Sequence, residues 1–390
     1  MSIHTFVFAG GGTGGHLYPG LAIADALRAR LGENVRTLFI CSTRPLDAEI
    51  LAANRAEFLP LPAEPFGLHP KRLFKFVRSW PGSVFAAERV LRGLSSPRVP
   101  SVDVVAMGGF VAAPVVAAAS RLSIPITMVN LDATPGRANK WIAHKADRVL
   151  TAADPGPAFP AWQRVPPIVR REALPPGDRA ACRQLLNLDP ERPVVFFTGA
   201  SQGAQSINDL ALSLARRGVF SAGRWQIIHQ TGGKSDPAAV RAVYAQLGIP
   251  ALVEPFFHTM GPLWGAADLA VSRSGAGNVA EAWASATPTV FLPYPYHKDE
   301  HQKHNARVLV EAGATVLCSD LINPALNDPH PAPAGSQAPG VVIEALIADA
   351  SRREAMRAAF GPLGPACGAD LIASSLAQHA QLSVLQATTR

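Results

Sequence analysis

The chain has 390 residues, of which 48% are hydrophobic and 17% charged, and its formal net charge is +7. This length suits two domains of middling size, and the composition excludes the disordered and fibrous classes. A basic chain could bind phosphorylated substrates, anionic lipid or nucleic acid. Because no nucleic-acid-binding motif accompanies the charge, we predict no nucleic-acid partner.

Two features bear on the compartment. Apolar runs such as Val111–Ser120 are too short to span a bilayer. The chain also reaches a glycine-rich turn by Gly10, which leaves no room for a signal peptide. We therefore expect a cytoplasmic protein whose membrane contact is peripheral. The four cysteines show no metal-type spacing and are predicted to be buried small hydrophobes, at Cys41, Cys182, Cys318 and Cys367.

The first half of the chain alternates strands with helices. A helix is predicted at Leu17–Leu31, with Pro19 near its start, where proline is tolerated. Strands are predicted at His4–Ala9, Val35–Cys41, Val102–Met107 and Ile124–Val129. This alternation indicates a parallel, doubly wound sheet.

The same pattern restarts after a proline-rich segment, Asp154–Pro176, which is predicted to be a linker. Further strands are predicted at Pro193–Thr198, Gln226–His229, Asp268–Ser272 and Thr287–Leu292, and a loop at Asn323–Gly340. We therefore predict an N-terminal domain at residues 1–165 and a C-terminal domain at residues 166–365, both Rossmann-like α/β. A last helix, within about residues 366–390, is expected to pack back on the first domain.

Three glycine-rich turns follow predicted strands, at Gly10–His16, Met107–Phe110 and Gly199–Ala204. Glycine lets the backbone approach a ligand closely, and a helix N-terminus attracts anions. The first turn matches the dinucleotide fingerprint by letters, but Cys41–Arg44 lacks the acidic residue that would hold ribose. Each turn alone could be a tight turn without a ligand. Because ligands bind at the carboxyl ends of parallel strands, two such domains facing each other would place all three around one cleft.

A cluster of small and polar residues, Ser272–Glu281, ends a strand and enters a helix. Glu281 would lie about one turn into that helix, where it could accept two ribose hydroxyls. The alternative is an acidic residue favoured by the helix dipole. The polar run Pro293–Gln302 follows the next strand and could bind sugar hydroxyls, or it could be a solvated loop.

The segment Gly67–Trp80 combines apolar and basic residues at helical spacing. Its apolar residues are Leu73, Phe74, Phe76, Val77 and Trp80, and its basic residues are Lys71, Arg72, Lys75 and Arg78. Such a helix can lie on an anionic bilayer. The alternative is that the apolar stripe belongs to the core.

Taken together, these motifs resemble the MurG family in consistent order from about Phe6 to Val316. The matching segments are Gly11–His16 with Pro19, Met107–Val111, Asn139–Trp141, Ser201–Ala204, Ser272–Ala276 with Glu281, and His297–Asp299 with Gln302 and Asn305. The resemblance implies two Rossmann-like domains facing across a cleft, the GT-B architecture. It implies an inverting transfer of N-acetylglucosamine from UDP-N-acetylglucosamine to undecaprenyl-pyrophosphoryl-N-acetylmuramoyl-pentapeptide, lipid I to lipid II, in peptidoglycan synthesis. The C-terminal domain would bind the donor, and the N-terminal domain would face the acceptor and the cytoplasmic side of the membrane.

The resemblance also implies roles for individual residues. Thr13, Gly14 and Gly15 would lie by the donor and the transferred sugar, and Arg170 would match the family arginine that follows the linker. Ser201 would contact donor phosphate and Phe257 the uracil. The nucleoside and phosphates would be lined by Ala276, Gly277, Asn278, Val279, Ala280 and Glu281, and Gln302 would contact the sugar hydroxyls.

The sequence departs from the family pattern in two places. The family usually has His-Glu-Gln-Asn where this chain has Val129–Asp132, so that Asp132 falls at the position of the family asparagine. The family's Gly-Asn-Pro-Val-Arg is replaced by Pro-Pro-Ile-Val-Arg at residues 166–170. These changes keep open a related transferase with another lipid acceptor. A UDP-N-acetylglucosamine epimerase and a non-catalytic UDP-sugar-binding module are further alternatives.

The expected mechanism needs a base for the acceptor hydroxyl and positive charge for the departing UDP. Since no Asp-x-Asp pair occurs to hold a divalent metal, no metal or other cofactor is predicted. Helix N-termini and Arg170 could stabilise the diphosphate instead. The candidates for the base are His16, which titrates near neutrality, and Asp132.

Overall fold

The computed structural model describes residues 3–12, 14–67, 69–94, 102–200, 203–220, 224–296 and 300–388. The chain divides into two compact units. Unit 1 comprises Met1–Arg170 together with Cys367–Arg390, and unit 2 comprises Arg171–Ala366. The division therefore falls between two neighbouring arginines, and both ends of the chain belong to unit 1.

Unit 1 contains, in the part that the structure describes, a seven-stranded sheet of order β3-β2-β1-β4-β5-β6-β7 in which all neighbours are parallel. Its strands are β1 (His4–Gly10), β2 (Val35–Ser42), β3 (Glu57–Leu61), β4 (Val102–Gly108), β5 (Ile126–Asn130), β6 (Arg148–Thr151) and β7 (Gln163–Arg164). Its first five helices are α1 (Gly14–Leu31), α2 (Pro45–Ala53), α3 (Pro70–Leu94), α4 (Gly109–Arg121) and α5 (Arg137–Ala143), and a 3-10 turn spans Gly32–Asn34.

The central strands β1 and β4 are mainly apolar, and their polar residues His4 and Asp103 pair with each other at 2.8 Å. Every residue of β1 and β4 is buried, which is the pattern of strands covered by helices on both faces of a parallel sheet. The four strands predicted in this half are confirmed. The structure adds β3, β6 and β7, and β7 corrects the prediction that Asp154–Pro176 is only a linker. A two-residue strand at the sheet edge is too short to leave a periodic pattern.

Unit 2 repeats the design, with a six-stranded parallel sheet of order β10-β9-β8-β11-β12-β13 among the described residues. Its strands are β8 (Val194–Thr198), β9 (Gln226–Gln230), β10 (Ala251–Glu254), β11 (Leu269–Ser272), β12 (Thr289–Phe291) and β13 (Thr315–Leu317). Its helices are α6 (Arg179–Leu185), α7 (Gln205–Arg216), α8 (Pro237–Gln246), α9 (Gly261–Ala266), α10 (Ala276–Ser285), α11 (His301–Asn305), α12 (Arg307–Glu311), α13 (Pro324–Asn327), α14 (Pro339–Ala348) and α15 (Ala350–Ala358), with 3-10 turns at Arg171–Ala173 and Gly361–Leu363.

The predicted loop Asn323–Gly340 contains one short helix, α13, and the first residues of α14. The Asn323 side chain caps α13 by accepting a hydrogen bond from the Ala325 amide at 3.0 Å. Asp328, which is buried, accepts a hydrogen bond from the Ser213 hydroxyl at 2.6 Å and pairs with Arg217. These contacts fix the segment against α7.

The last helix, α16 (Gly368–Thr388), packs against α1 in unit 1. It buries Ile372, Leu376 and the alanines beside them. Arg148, on β6, donates from Nη1 to the Ser375 hydroxyl at 2.9 Å. Gly368 passes so close to the chain that an added Cβ would lie 2.1 Å from the Pro166 carbonyl oxygen, so only glycine fits there. Within the described part of the chain, all helices are too short or too polar to cross a bilayer.

Candidate active site

The first glycine turn of unit 1 joins β1 to α1 and is held by the start of α2. The Asp47 carboxylate, which is fully buried, accepts from the Gly12 amide at 2.7 Å and from the Ser42 hydroxyl at 2.6 Å. Arg44 donates from Nη1 to the Gly12 carbonyl at 2.6 Å. Gly12 has a φ of 87°, and an added Cβ would lie 2.7 Å from the Phe110 ring. The turn therefore requires glycine and is fixed in place.

This arrangement revises one expectation. The amides of the turn were expected to be offered to an anion, but the Gly12 amide already donates to Asp47. The dinucleotide fingerprint would place an acidic residue within Cys41–Arg44, and Asp47 was missed because it lies three residues beyond, in the first turn of α2. Thr13 lies outside the described residues.

His16 lies in the first turns of α1, beside the second glycine turn. A Cβ added to Gly109 would lie 3.3 Å from Nδ1 of the His16 ring, so the glycine lets the end of β4 approach the imidazole. Burial lowers the pKa of His16, while the charge of Asp132 and a hydrogen bond with the Gly11 carbonyl raise it. Since burial is the largest of these influences, the imidazole is neutral at neutral pH and can accept a proton.

Asp132 follows β5, which neighbours β4 in the sheet. Its main-chain carbonyl accepts from the side-chain amide of Asn130 at 2.8 Å. Asn130 is fully buried and also accepts from the side-chain amide of Asn139 at 3.2 Å. The structure thus brings His16 and Asp132 close enough for the carboxylate to act on the imidazole, and two asparagines fix the turn that carries Asp132. Asn130 was not predicted as a site residue, although a polar residue at the end of an apolar strand is a signal that can be recognised in the sequence.

Arg170 is the last residue of the first segment of unit 1 and lies near the start of α1. Its guanidinium lies over the Tyr18 ring, 5.7 Å from the centroid. The same ring packs against Gly14, where an added Cβ would lie 3.0 Å from it, and Gly15 is exposed. Gly14, Gly15 and Arg170 are therefore gathered at the N-terminal end of α1, where the helix dipole also favours negative charge.

The glycine turn of unit 2 joins β8 to α7. Ala200 has a φ of 61° and Gly203 a φ of 71°, and a Cβ added to Gly203 would lie 2.7 Å from the Gly232 Cα. The side chain of Gln230, at the end of β9, donates to the Ala200 carbonyl at 3.1 Å. Two neighbouring strand ends are thereby tied together. Ser201 and Gln202 lie outside the described residues.

The start of α10 presents mainly backbone. Ala276 is partly exposed and Gly277 exposed, whereas Val279 and Ala280 are buried. Asn278 is also buried, and its amide donates to the Ser272 hydroxyl at 2.7 Å and to the Arg273 carbonyl at 3.0 Å. The side chain of Asn278 therefore stabilises the loop that precedes the helix. A ligand at this end of α10 would meet backbone amides rather than that side chain.

A buried arginine organises the strand ends around α10. Arg273 pairs with Asp320 at 2.7 Å and donates to the Ser206 hydroxyl at 3.0 Å. It also donates to the carbonyls of Leu292 and Pro293, at 2.9 and 3.1 Å. One guanidinium thus joins the loops after β11, β12 and β13 to α7. Arg273 was expected only as one residue of the cluster Ser272–Glu281, and its buried partners could not be predicted because they lie far along the chain.

The residues predicted to bind the ribose, the sugar hydroxyls and the uracil also lie in unit 2. Glu281 is partly buried, and burial raises the pKa of its carboxyl group to about 7, opposed by a hydrogen bond from the Trp264 indole. Gln302 accepts from the Tyr294 amide at 2.9 Å. Phe257 packs against a core cluster that includes Val279. His297, Lys298 and Asp299 lie outside the described residues.

Two buried polar atoms at these strand ends, Gln230 Oε1 and Ser274 Oγ, have no hydrogen-bond partner among the described residues. Buried polar atoms normally have partners, so these two are available to a ligand or a water molecule. A search of the same residues for three or more His, Cys, Asp or Glu side chains gathered as metal ligands finds none.

The predicted amphipathic segment forms the first half of α3. Phe74 is 66% exposed and Val77 59% exposed, and all four basic residues of the segment are exposed, at Lys71, Arg72, Lys75 and Arg78. Trp80 differs, because it packs against the core of unit 1 and lies 5.9 Å from the ring of Trp141. The core alternative therefore holds for Trp80. Phe74, Val77 and the four basic residues form an exposed apolar and basic surface, called here the α3 face.

Comparison with known sequences places these features in a family. The Glycosyltransferase family 28 N-terminal domain matches residues 6–151, and the Glycosyltransferase family 28 C-terminal domain matches residues 194–321. A protein of Acidithiobacillus ferrooxidans is 34% identical over 377 residues, covering 93% of this chain and 96% of its own. A protein of Clavibacter michiganensis is 35% identical and covers 81% of this chain and 83% of its own. Both are named UDP-N-acetylglucosamine--N-acetylmuramyl-(pentapeptide) pyrophosphoryl-undecaprenol N-acetylglucosamine transferase.

Solved structures show the same fold. MurG of Acinetobacter baumannii superposes with a TM-score of 0.71 at 22% identity, covering 97% of this chain and 100% of its own. The calicheamicin glycosyltransferase CalG4 gives 0.60 at 18% identity, covering 100% and 99%. A putative UDP-N-acetylglucosamine 2-epimerase from Listeria monocytogenes gives 0.58 at 13% identity, covering 97% and 96%. Since transferases and an epimerase share this fold, the sequence relationship is the more specific finding, and by it the chain belongs to glycosyltransferase family 28.

Proposed function

We propose that this protein transfers N-acetylglucosamine from UDP-N-acetylglucosamine to undecaprenyl-pyrophosphoryl-N-acetylmuramoyl-pentapeptide, with inversion at the anomeric carbon, in peptidoglycan synthesis. The observation that carries the proposal is the proximity of His16 and Asp132, which follow β1 and β5, the two strands on either side of β4. Relatives named as transferases of this activity align with most of the chain. A binding module would have no need of a buried imidazole beside a carboxylate.

In this proposal unit 2 binds the donor nucleotide. The Glu281 carboxylate accepts the ribose hydroxyls, and the backbone amides at the start of α10 meet the diphosphate, where the helix dipole favours negative charge. The predicted contacts of Ser201 with phosphate and of the Phe257 backbone with uracil belong to the same proposal. Gln302 Oε1 already accepts from the Tyr294 amide, so we assign the sugar hydroxyls to its Nε2 group.

Unit 1 supplies the chemistry. His16 accepts the proton of the acceptor hydroxyl while that oxygen bonds to the anomeric carbon, and the bond from this carbon to the phosphate oxygen breaks on the opposite face. UDP leaves with the bonding electrons. The Asp132 carboxylate stabilises the imidazolium that forms, because its charge raises the pKa of His16. Thr13, Gly14, Gly15 and Arg170 are proposed to contact the transferred sugar and the diphosphate.

The acceptor and the location are proposed from the α3 face. Exposed Phe74 and Val77 can enter the interface of a bilayer, while the basic residues around them pair with anionic headgroups. A peripheral protein on the cytoplasmic face of the membrane would meet an undecaprenyl-linked acceptor there. Because Val129–Asp132 departs from the family motif, a second lipid acceptor should be tested in parallel.

The decisive experiment incubates the protein with labelled UDP-N-acetylglucosamine and the undecaprenyl-linked N-acetylmuramoyl-pentapeptide. We expect labelled disaccharide on the lipid and release of UDP. Transfer only to another glycolipid would replace the acceptor, and a free 2-epimer formed without any acceptor would replace the transferase with an epimerase. Donor binding without turnover on any acceptor would indicate a non-catalytic module.

A further inference from the structure

Trp264 lies in the core of unit 2 and contacts Glu281, the residue proposed to bind the ribose. Its Nε1 donates to Glu281 Oε2 at 2.8 Å, and the residue has no exposed surface. The indole meets the Phe196 ring edge-on, with centroids 5.3 Å apart. The Trp264 carbonyl accepts from the Thr287 hydroxyl at 2.9 Å. The indole is therefore fixed by its burial and by the Phe196 ring, and the Trp264 main chain is fixed by Thr287.

The surroundings of Glu281 make this hydrogen bond the main support for its charge. Neither α10, which carries Glu281, nor α9, which carries Trp264, contains another ionisable side chain. The neighbouring α11 carries His301, Lys303 and His304. Burial raises the pKa of Glu281 to about 7, and the Trp264 hydrogen bond is the influence that opposes it.

We propose that Trp264 is a positioning residue for nucleotide recognition, whose indole N–H fixes Oε2 of Glu281 so that the carboxylate meets the ribose diol in one orientation. The inference rests on the proposed function, because Glu281 must bind the ribose. The same bond favours the ionised carboxylate, which accepts hydrogen bonds from both hydroxyls more strongly than a protonated one. Nucleotide affinity should therefore depend on an indole that does not touch the nucleotide.

The test removes the N–H group of Trp264 but keeps an aromatic ring at this position. Trp264→Phe keeps an aromatic side chain against Phe196 and removes the N–H. Calorimetry with UDP-N-acetylglucosamine, whose diphosphate diester keeps a constant charge, should give about tenfold weaker binding near neutral pH. The midpoint of the affinity–pH curve, measured from about pH 6 to about pH 9, should move upward, because the carboxyl group loses the bond that favours ionisation.

A second background separates positioning from packing. In Glu281→Ala, which has no side-chain oxygen for the indole to orient, adding Trp264→Phe should cost no further affinity. Trp283→Phe is the matched control, because Trp283 Nε1 donates at 2.8 Å to the Gly364 carbonyl, which does not ionise. That variant should keep the wild-type affinity and pH curve. Should Trp264→Phe fail to fold, site-specific benzothienylalanine, which exchanges the N–H for sulfur at nearly unchanged volume, gives the same comparison.

The outcomes are distinct. An equal loss of affinity in both backgrounds, or an unmoved pH curve, would reduce Trp264 to a packing residue and overturn the inference. Unchanged binding by Trp264→Phe would do the same and leave the proposed function standing. A wild-type protein that fails to bind UDP-N-acetylglucosamine would overturn both.

Discussion

Burial acts on two ionisable side chains of this protein in opposite directions. It lowers the pKa of the His16 imidazole and raises the pKa of the Glu281 carboxyl to about 7. The physical cause is the same, because removal from water disfavours whichever form is charged. His16 is therefore a neutral base at neutral pH. The Glu281 carboxyl group, with a pKa of about 7, is partly ionised at the same pH.

The roles of His16 and Asp132 can be separated by turnover. With saturating substrates, His16→Ala should lose about 10²–10⁴-fold in turnover while donor affinity is nearly kept, as expected for a positioned base. Asp132→Asn should lose less, and the acid limb of its pH–rate curve should move to lower pH, because the charge that raises the pKa of His16 is gone. His144→Ala, an exposed histidine of the same unit, is the control. A collapse in Asp132→Asn alone would reverse the two roles.

Glu281 should reduce stability where it is ionised. Its pKa is about 7 in the folded protein against an ordinary value of 4.5, so the stability present at low pH is lost as pH rises through 7. Glu281→Gln should therefore stabilise the protein by about 1–3 kcal/mol above pH 7, and the gain should vanish below about pH 4.5. Urea unfolding at both pH values measures it, with the exposed Glu33→Gln as the control. An equal stabilisation at both pH values would show that the effect does not arise from ionisation of Glu281.

At the scale of elements, α3 combines two environments in one helix. Its first turns expose Phe74 and Val77, whereas Val84, Ala87 and Leu91 further along are fully buried. The second half therefore anchors the helix in the core of unit 1, and the first half extends an apolar and basic surface. A helix built in this way can present side chains to a bilayer without losing its place in the fold.

The α3 face should control binding to anionic vesicles. Replacing Phe74, Val77, Lys75 and Arg78 with serine should release the protein from such vesicles, because each basic residue near the surface contributes about 1 kcal/mol. Trp80 is left in place, since it packs against the core. Co-sedimentation with vesicles measures the effect, and calorimetry should show unchanged UDP binding.

A matched control removes the same kinds of side chain elsewhere. Serine at Leu185, Leu371, Arg30 and Arg352 deletes two exposed apolar and two exposed basic residues with the same change of charge. This control should sediment with vesicles like the wild type. Equal release of both variants would mean that binding follows net charge alone.

At the scale of the whole molecule, unit 1 is built from two separate segments of the chain. After forming unit 2 the chain returns to unit 1 through α16, which packs on α1 and accepts hydrogen bonds from Arg148. Unit 1 is therefore discontinuous in sequence, and its core is complete only when both ends of the chain are in place.

This discontinuity predicts how α16 contributes to stability. Leu376→Ala removes a side chain that is 1% exposed and should destabilise the protein by about 2–5 kcal/mol, through lost burial and the cavity left behind. Leu371→Ala, on the same helix and 48% exposed, should have little effect. Thermal unfolding compares the two. Similar melting temperatures for both variants would indicate that α16 adds little to the core of unit 1.

The sequence by itself determined the features written in contiguous residues. The apolar runs of β1, β4, β8 and β11 predicted buried parallel strands, and the glycines after three of them predicted close turns. The ordered motifs indicated the family, to which the chain belongs by its relatives. These features are local, because strand period and backbone freedom act within a few residues.

Only the tertiary structure decided what each polar group contacts. Asp47 reaches Gly12 across 35 positions, and Trp264 reaches Glu281 across 17. The network of Arg273 with Ser206 and Asp320 spans longer separations still. No pattern along the chain specifies such pairs, since they depend on which strand ends the sheet order brings together. Burial likewise exists only once the core has closed, so the neutral His16 and the raised pKa of Glu281 follow from the fold rather than from the residue types.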